Sequence, residues 1–314
     1  MGQILPLLIG GLILFLYAIT RLSDVMTDVF TEKAKEAIAK STRTLFLSIL
    51  TGMVFTILLG SSSAVIILAI VFINAKALSF RQAIGIIMGA NIGTTFSSQI
   101  IALDVGQYAV IPLALGLLVQ AFTKNEKLDR YGEVLFFFGL LFFGLYMMEE
   151  SVWPLKDSTI FTSWIKAVEG SPIQGTLIGG LITLIIQSSS ATVGIAIILG
   201  KQDLLSLSGG VSIMLGAELG TCSDTLIATF RGSRQALKAG LFHLFFNLAS
   251  IFLGLLAFGY LLDLIEMVSD GQGLDKKIAN AHMLFNLCGV LLFLPFVGFA
   301  EKMLNRLLPD KEVA

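Results

Sequence analysis

Charge is scarce in this chain. Of its 314 residues only 14% are Asp, Glu, Lys or Arg while 55% are hydrophobic, against about 25% charged in an ordinary soluble domain. A water-exposed globular fold is thereby excluded, and the composition fits a bilayer. Cysteine is nearly absent: Cys222 and Cys288 sit in apolar segments with neither a disulfide pattern nor metal-ligand spacing. The net charge of -1 removes the basic face that nucleic acid requires. No Gly-x-x-x-x-Gly-Lys phosphate loop and no nucleophile–base constellation occurs, so neither ATP-driven transport nor catalysis has support and no cofactor is expected. The long apolar segments also lack Lys and Arg, so an anion bound among them has no fixed cation to meet it.

What the apolar runs do contain is two serine triplets, Gly60-Ser61-Ser62-Ser63-Ala64 and Gln187-Ser188-Ser189-Ser190-Ala191. Each precedes a second polar interruption, Gly89-Ala90-Asn91-Ile92-Gly93-Thr94-Thr95 and Gly216-Ala217-Glu218-Leu219-Gly220-Thr221-Cys222. Ser61 and Ser188, Asn91 and Glu218, and Gly93 and Gly220 are all 127 positions apart, a register that marks an internal repeat. The run Thr44 to Ala75 offers 17 residues before its triplet and 12 after it, short of the ~20 that cross a bilayer core. A helix, a break and a returning helix is the economical reading, because irregular backbone at membrane depth must line a protein cavity.

The pattern predicts an all-α polytopic membrane protein. Repeat 1 occupies 1–130: a span at 3–20 that is kept rather than cleaved, an interfacial helix at 21–43, a re-entrant hairpin, and spans at 83–103 and 108–123. Repeat 2 occupies 131–262, with spans at 132–149, 208–228 and 238–260 around its own hairpin, and an extra C-terminal span (278–299) with a cytoplasmic tail fills 263–314. Trp153 and Trp164 are expected at a headgroup boundary. Three spans and one hairpin per copy invert the second copy relative to the first. Sixteen Lys and Arg then share one side, and Lys156, Lys166, Lys201, Lys276 and Lys277 the other, which puts the N-terminus outside and the C-terminus in the cytoplasm. Inverted repeats with elements broken near the midplane are a transporter signature.

A serine just after a break is placed to cap the following half-helix, whose N-terminal N–H groups attract anions. Hydroxyls, amide oxygens and freed carbonyls are hard ligands for a small cation such as Na+, and binding cation and anion together lowers the cost of both charges. The residues therefore point to cation-coupled anion uptake. Glu218, which stands where the first copy has Asn91, is the one carboxylate within either Gly-Ala-x-x-Gly-Thr motif and is expected to ligate Na+ or carry a proton. His243 and His282 open two later spans with a repeated His…Phe-Asn pattern and read as packing and hydrogen-bonding positions. Asp104, Asp263 and Asp270 read as solvated loop charges.

The doubled motif, over residues 10–300, closely resembles the sodium/phosphate cotransporter family, whose bacterial members and animal type II relatives carry two Gln-Ser-Ser-Ser motifs, each followed by Gly-(Ala/Ser)-Asn-Ile-Gly-Thr. The resemblance implies Na+-coupled uptake of inorganic phosphate across the cytoplasmic (inner) membrane. By position, Ser61, Ser62, Ser63, Ser188, Ser189, Ser190, Asn91 and Thr94 would hold phosphate, and Gln187, Thr95, Glu218, Thr221, Ser63 and Ser190 would hold Na+. Gly60 in place of the first glutamine and Glu218 in place of the second asparagine depart from the family pattern. The chain ends soon after its last span, where many longer bacterial relatives append a soluble regulatory domain. Its expected partners are phosphate, Na+ and membrane lipid, and the sequence admits a homodimer without requiring one. A passive anion channel, a Na+- or H+-coupled carrier of another oxyanion, and a regulatory membrane subunit remain the alternatives.

Overall fold

A computed structural model describes residues 4–103, 105–152, 159–229 and 233–309. Asp104, Trp153 and Lys156 lie outside them. The described residues form fifteen α-helices joined by short turns, with no strand among them. Five segments are long and apolar enough to cross a membrane: Phe80–Ile101, Glu126–Ser151, Leu207–Thr229, Arg234–Leu256 and Leu274–Leu307.

The sequence register reappears as a structural one. Helix α2 (Leu45–Leu59) and α3 (Ser62–Asn74) flank the first triplet; α8 (Pro172–Ile186) and α9 (Ser189–Lys201) flank the second, and all four pairs of bounds differ by 127 residues. The helix starts match because their caps do. Thr44 and Ser171, Ser61 and Ser188, and Ser79 and Ser206 are N-caps whose side chains accept a backbone N–H three residues on, and each pair is again 127 apart. Beyond the triplets, α4 (Phe80–Ile101) corresponds to α10 (Leu207–Gly220) continued by α11 (Cys222–Thr229).

Small residues let the backbones of these helices touch. A Cβ on Gly89 of α4 would sit 1.9 Å from the Ile49 carbonyl of α2, and one on Gly216 of α10 would sit 2.0 Å from the Thr176 carbonyl of α8. One layer of this seam is exchanged between the copies. In the first, Gly85 on α4 faces Ser48 on α2; in the second, Ser212 on α10 faces Gly175 on α8. Either arrangement holds one hydroxymethyl group, so the spacing is kept while the side chain changes helix. The copies meet where α1 (Ile4–Ser41) crosses α6 (Glu126–Val152), so closely that a Cβ on Gly11 or on Gly144 would sit 2.7 Å from the other's carbonyl.

Two expected interruptions are absent. The span at 3–20 and the interfacial helix at 21–43 form the single helix α1, since no Gly or Pro occurs between residues 12 and 41 to end it. Asn91 to Thr95 likewise lie inside the continuous α4, where the Thr94 and Thr95 hydroxyls donate to the carbonyls of Ala90 and Ile92. In the second copy α10 gives way to α11 at Thr221, which keeps right-handed helical backbone and donates its N–H to the Ala217 carbonyl, so the apolar segment runs on through Thr229. The expected span at 108–123 is the thirteen-residue α5 (Val110–Phe122), which packs on α6. Helix α7 (Thr159–Glu169) precedes α8; α12 (Arg234–Leu256), α13 (Phe258–Val268), α14 (Leu274–Phe293) and α15 (Val297–Leu307) complete the chain. Asp263, read as a loop charge, is exposed on α13, and Asp270 is exposed in the following turn.

Candidate functional site

Both triplets line one cavity of about 330 Å³, together with Thr20 and Asp24 of α1, Thr183 and Gln187 of the second helix pair, and Gly220, Thr221 and Asp224. The local geometry of the two breaks is the same. Gly60 and Gln187 end their helices in the left-handed region, at φ 65° and 59°, and their backbone N–H groups donate to the carbonyls of Thr56 and Thr183. Glycine enters this region without a Cβ penalty, which accounts for Gly60 where the second copy has glutamine. Ser61 and Ser188 then turn the chain and cap the next helix, their hydroxyls accepting the N–H of Ala64 and Ala191 at 3.2 Å. Helix geometry leaves the N–H groups of Ser62, Ser63, Ser189 and Ser190 without an intrahelical acceptor. The positive ends of α3 and α9 thus both open on the cavity.

No Lys or Arg is among the lining residues, whereas two carboxylates are. Asp24 lies 3.3 Å from the Arg21 guanidinium. Asp224 accepts from the Ser63 hydroxyl at 3.1 Å and so ties the first triplet to the second copy. Of the residues expected at the site, Ser61, Ser62, Ser63, Gln187, Ser188, Ser189, Ser190 and Thr221 line this cavity. Asn91, Thr94, Thr95 and Glu218 do not; they are buried on α4 and α10. Asp224, Thr183 and Thr20 were not anticipated. Asp224 did carry a signal, standing three residues after Thr221 and therefore on the same helical face.

Glu218 instead enters a buried polar network. Its Oε1 lies 2.6 Å from Nε2 of His282 and accepts from Asn286 Nδ2 at 2.9 Å, while Nδ1 of His282 lies 2.6 Å from the Ser98 hydroxyl. Its counterpart Asn91 donates to Asn247 Oδ1 at 2.6 Å. Asn247 Nδ2 in turn donates to the Glu218 backbone carbonyl at 2.8 Å. His243, one turn before Asn247, contacts the Thr225 hydroxyl through Nδ1 at 2.9 Å. Both histidines were expected near the start of a span, yet they lie well inside α12 and α14 and are fully buried.

A cavity with paired helix N-termini, six serines and a doubled architecture is what the comparison with known proteins has to explain. The Na+/Pi-cotransporter family matches the chain twice, over residues 14–150 and 157–294, and each match holds one serine triplet.

The chain belongs to the Na+/Pi-cotransporter family.

Among individual relatives, an uncharacterized Bacillus subtilis protein, YqeW, is 28% identical over 300 residues, covering 96% of this chain and 97% of that one. The putative inorganic phosphate export protein YjbB of Escherichia coli is 22% identical over 288 residues, and the match spans 90% of this chain but 52% of YjbB. The human sodium-dependent phosphate transport protein 2B is 34% identical over 160 residues, 45% of this chain and 23% of that protein. No solved structure matches. Membership in this transporter family, with five apolar segments of spanning length, makes the chain a membrane protein of a phosphate-transporting family.

Proposed function

We propose that this protein carries inorganic phosphate across the cytoplasmic membrane together with Na+, taking phosphate up when Na+ flows inward. The observation that carries the reading is the convergence of both serine triplets on one cavity. Two helix N-termini and their serine hydroxyls suit a tetrahedral oxyanion. The absence of a lining Lys or Arg, with carboxylates present instead, means that a cation must enter with the anion for the charges to balance.

The cycle proposed is alternating access between inverted copies. The arms α2 and α3, with 15 and 13 residues, fall short of the ~20 needed to span, as do α8 and α9, so each pair is read as a re-entrant hairpin with its break at depth. With the copies inverted, Lys76 and the N-terminus of α12 face the cytoplasm. The triplets hold phosphate, and Gln187, Thr221, Ser63 and Ser190 supply oxygen to Na+. Helix α14 acts as the mate of α12, because each presents one His and one Asn, four residues apart, to the two copies.

Export is a second reading, favoured by the similarity to the Escherichia coli putative inorganic phosphate export protein YjbB. A coupled carrier runs in whichever direction the summed gradients favour, so both readings share one machine. Purified protein in liposomes is expected to accumulate labelled phosphate against its gradient when Na+ is higher outside, to stop when K+ replaces Na+, and to be unaffected by sulfate. Equilibration that ignores the Na+ gradient would make it a channel, and competition by sulfate would widen the substrate to other oxyanions.

A further inference from the structure

The two carboxylates of the serine cavity differ in one decisive respect. Asp24 is exposed and its charge is answered by Arg21 at 3.3 Å. Asp224 is partly buried, and among the described residues its hydrogen-bond partners are hydroxyls alone: Ser63 donates to Oδ2 at 3.1 Å and Ser223 to Oδ1 at 3.4 Å. Among the described residues no Lys, Arg or His forms an ion pair with it. A carboxylate at a cavity within a membrane-spanning segment is costly unless a positive charge is delivered to it.

The neighbouring donors say which cation would serve. Ser63 and Thr221 offer neutral hydroxyl oxygens on the wall that Asp224 shares, and Asp224 is the one carboxylate there without a cationic partner among the described residues. Among the described residues no group of three or more His, Cys, Asp or Glu could hold a metal, whereas divalent ions are bound through several carboxylates or softer ligands. One negative charge within a hydroxyl-rich wall balances a monovalent ion. Asp224 has no repeat counterpart of its kind. The residue 127 positions earlier is Ser97, which faces a separate and largely apolar hollow of about 180 Å³.

We propose that Asp224 is the carboxylate that binds the coupling sodium ion, with Ser63 and Thr221 supplying neutral oxygens, inside the same cavity that takes phosphate. The proposal rests on the sodium-coupled reading above and assigns its cation site. An uncompensated Asp224 repels an anion from the N-termini of α3 and α9. Sodium at Asp224 cancels that charge and leaves the helix ends free to attract phosphate, so the cation must bind for the anion to bind well. Because Ser63 belongs to the first copy and Asp224 to the second, the ion also draws the two breaks together. Coupling is then a consequence of charge balance in one small space.

The test measures binding of radioactive sodium and of labelled phosphate separately, on the purified full-length protein in detergent. In the wild type sodium should strengthen phosphate binding. In Asp224→Asn, an isosteric change that keeps a hydrogen-bonding partner for Ser63, sodium affinity should fall about tenfold or more, the worth of a charged contact. Phosphate should still bind that variant, and sodium should no longer strengthen its binding, a separation that a merely structural defect would not give. Ser63→Ala should weaken sodium in the same direction by a smaller factor. Wild-type sodium affinity in Asp224→Asn overturns the assignment; if that variant fails to fold, unchanged sodium affinity in Ser63→Ala overturns it instead. A wild-type protein whose phosphate binding ignores sodium would overturn the sodium-coupled reading itself.

Discussion

His282 stands to Ser98 as His243 stands to Thr225: each imidazole meets its hydroxyl through Nδ1, at 2.6 and 2.9 Å, and Ser98 and Thr225 are 127 residues apart. The asparagine four residues after each histidine meets the other copy, Asn286 at Glu218 and Asn247 at Asn91. Helices α12 and α14 are therefore two crossed clamps, each holding one hydroxyl of one copy and one polar side chain of the other. The clamps differ mainly in charge, since Glu218 occupies the place of Asn91.

That difference supplies an internal control. The first copy is built with a neutral asparagine, so Glu218→Asn is expected to fold and insert, with only a small change in melting temperature. Removing the partner instead should be severe: His282→Ala leaves a buried carboxylate short of its main contact, at a cost of about 3–5 kcal/mol. Adding Glu218→Asn to His282→Ala should recover much of that loss. Thermal unfolding of the three variants in one detergent decides it, and a double variant no more stable than His282→Ala would refute the argument.

The repeat, its 127-residue register and the two helix breaks were legible in the sequence because each rests on a local pattern: hydroxyl caps, small residues and apolar runs too short to span. The clamps were not legible. Each joins residues from three distant helices, and a His or Asn in an apolar run looks the same whether it packs against lipid-facing neighbours or closes a buried network. The expected break at Asn91 failed for a similar reason. Gly89 and Gly93 flank that polar segment and are the flat places where α2 lies against α4, and that packing keeps the helix whole. Asp224 was not legible because the repeat does not mark it: the residue 127 positions earlier is Ser97.

The exchanged layer of the helix seam gives a second test. Gly85→Ser alone places a Cβ 2.4 Å from the Ser48 Cβ and should destabilise by about 1–3 kcal/mol, the usual cost of overpacking. Combining it with Ser48→Gly recreates the arrangement already present at Gly175 and Ser212, so the double variant should melt near the wild type. Equal loss in both would show that the two seams are not interchangeable.

A third prediction concerns the left-handed residue before each triplet. Gly60→Gln imports the residue the second copy uses at φ 59° and should retain phosphate binding, losing about 1 kcal/mol of stability to left-handed strain. Gly60→Val, with a β-branched side chain forced into that region, should lose more stability and most phosphate binding, since the triplet that follows would no longer be aimed into the cavity. Binding of labelled phosphate and thermal unfolding of both variants separate the outcomes. A Val variant that binds as the wild type does would mean that the break geometry is dispensable.

The proposed inversion of the copies can be tested at one pair of turns. Lys76 and Asp203 follow the two helix pairs, are 127 residues apart, and both adopt left-handed backbone, at φ 57° and 53°. They are the same turn built twice, and both are exposed. Inverted copies would place them on opposite faces of the membrane, and the orientation expected from the Lys/Arg asymmetry would put Lys76 in the cytoplasm and Asp203 outside. Single cysteines at these positions, in a background without Cys222 and Cys288, can be probed in intact cells with an impermeant thiol reagent. The Asp203→Cys protein should react from outside, and the Lys76→Cys protein only after the cells are opened. Labelling of both from the same side would make the copies parallel, remove the case for alternating access between inverted halves, and leave the shared serine cavity needing a different account. Labelling of Lys76→Cys alone from outside would keep the inversion and reverse the orientation, exchanging which side of the membrane α12 begins on.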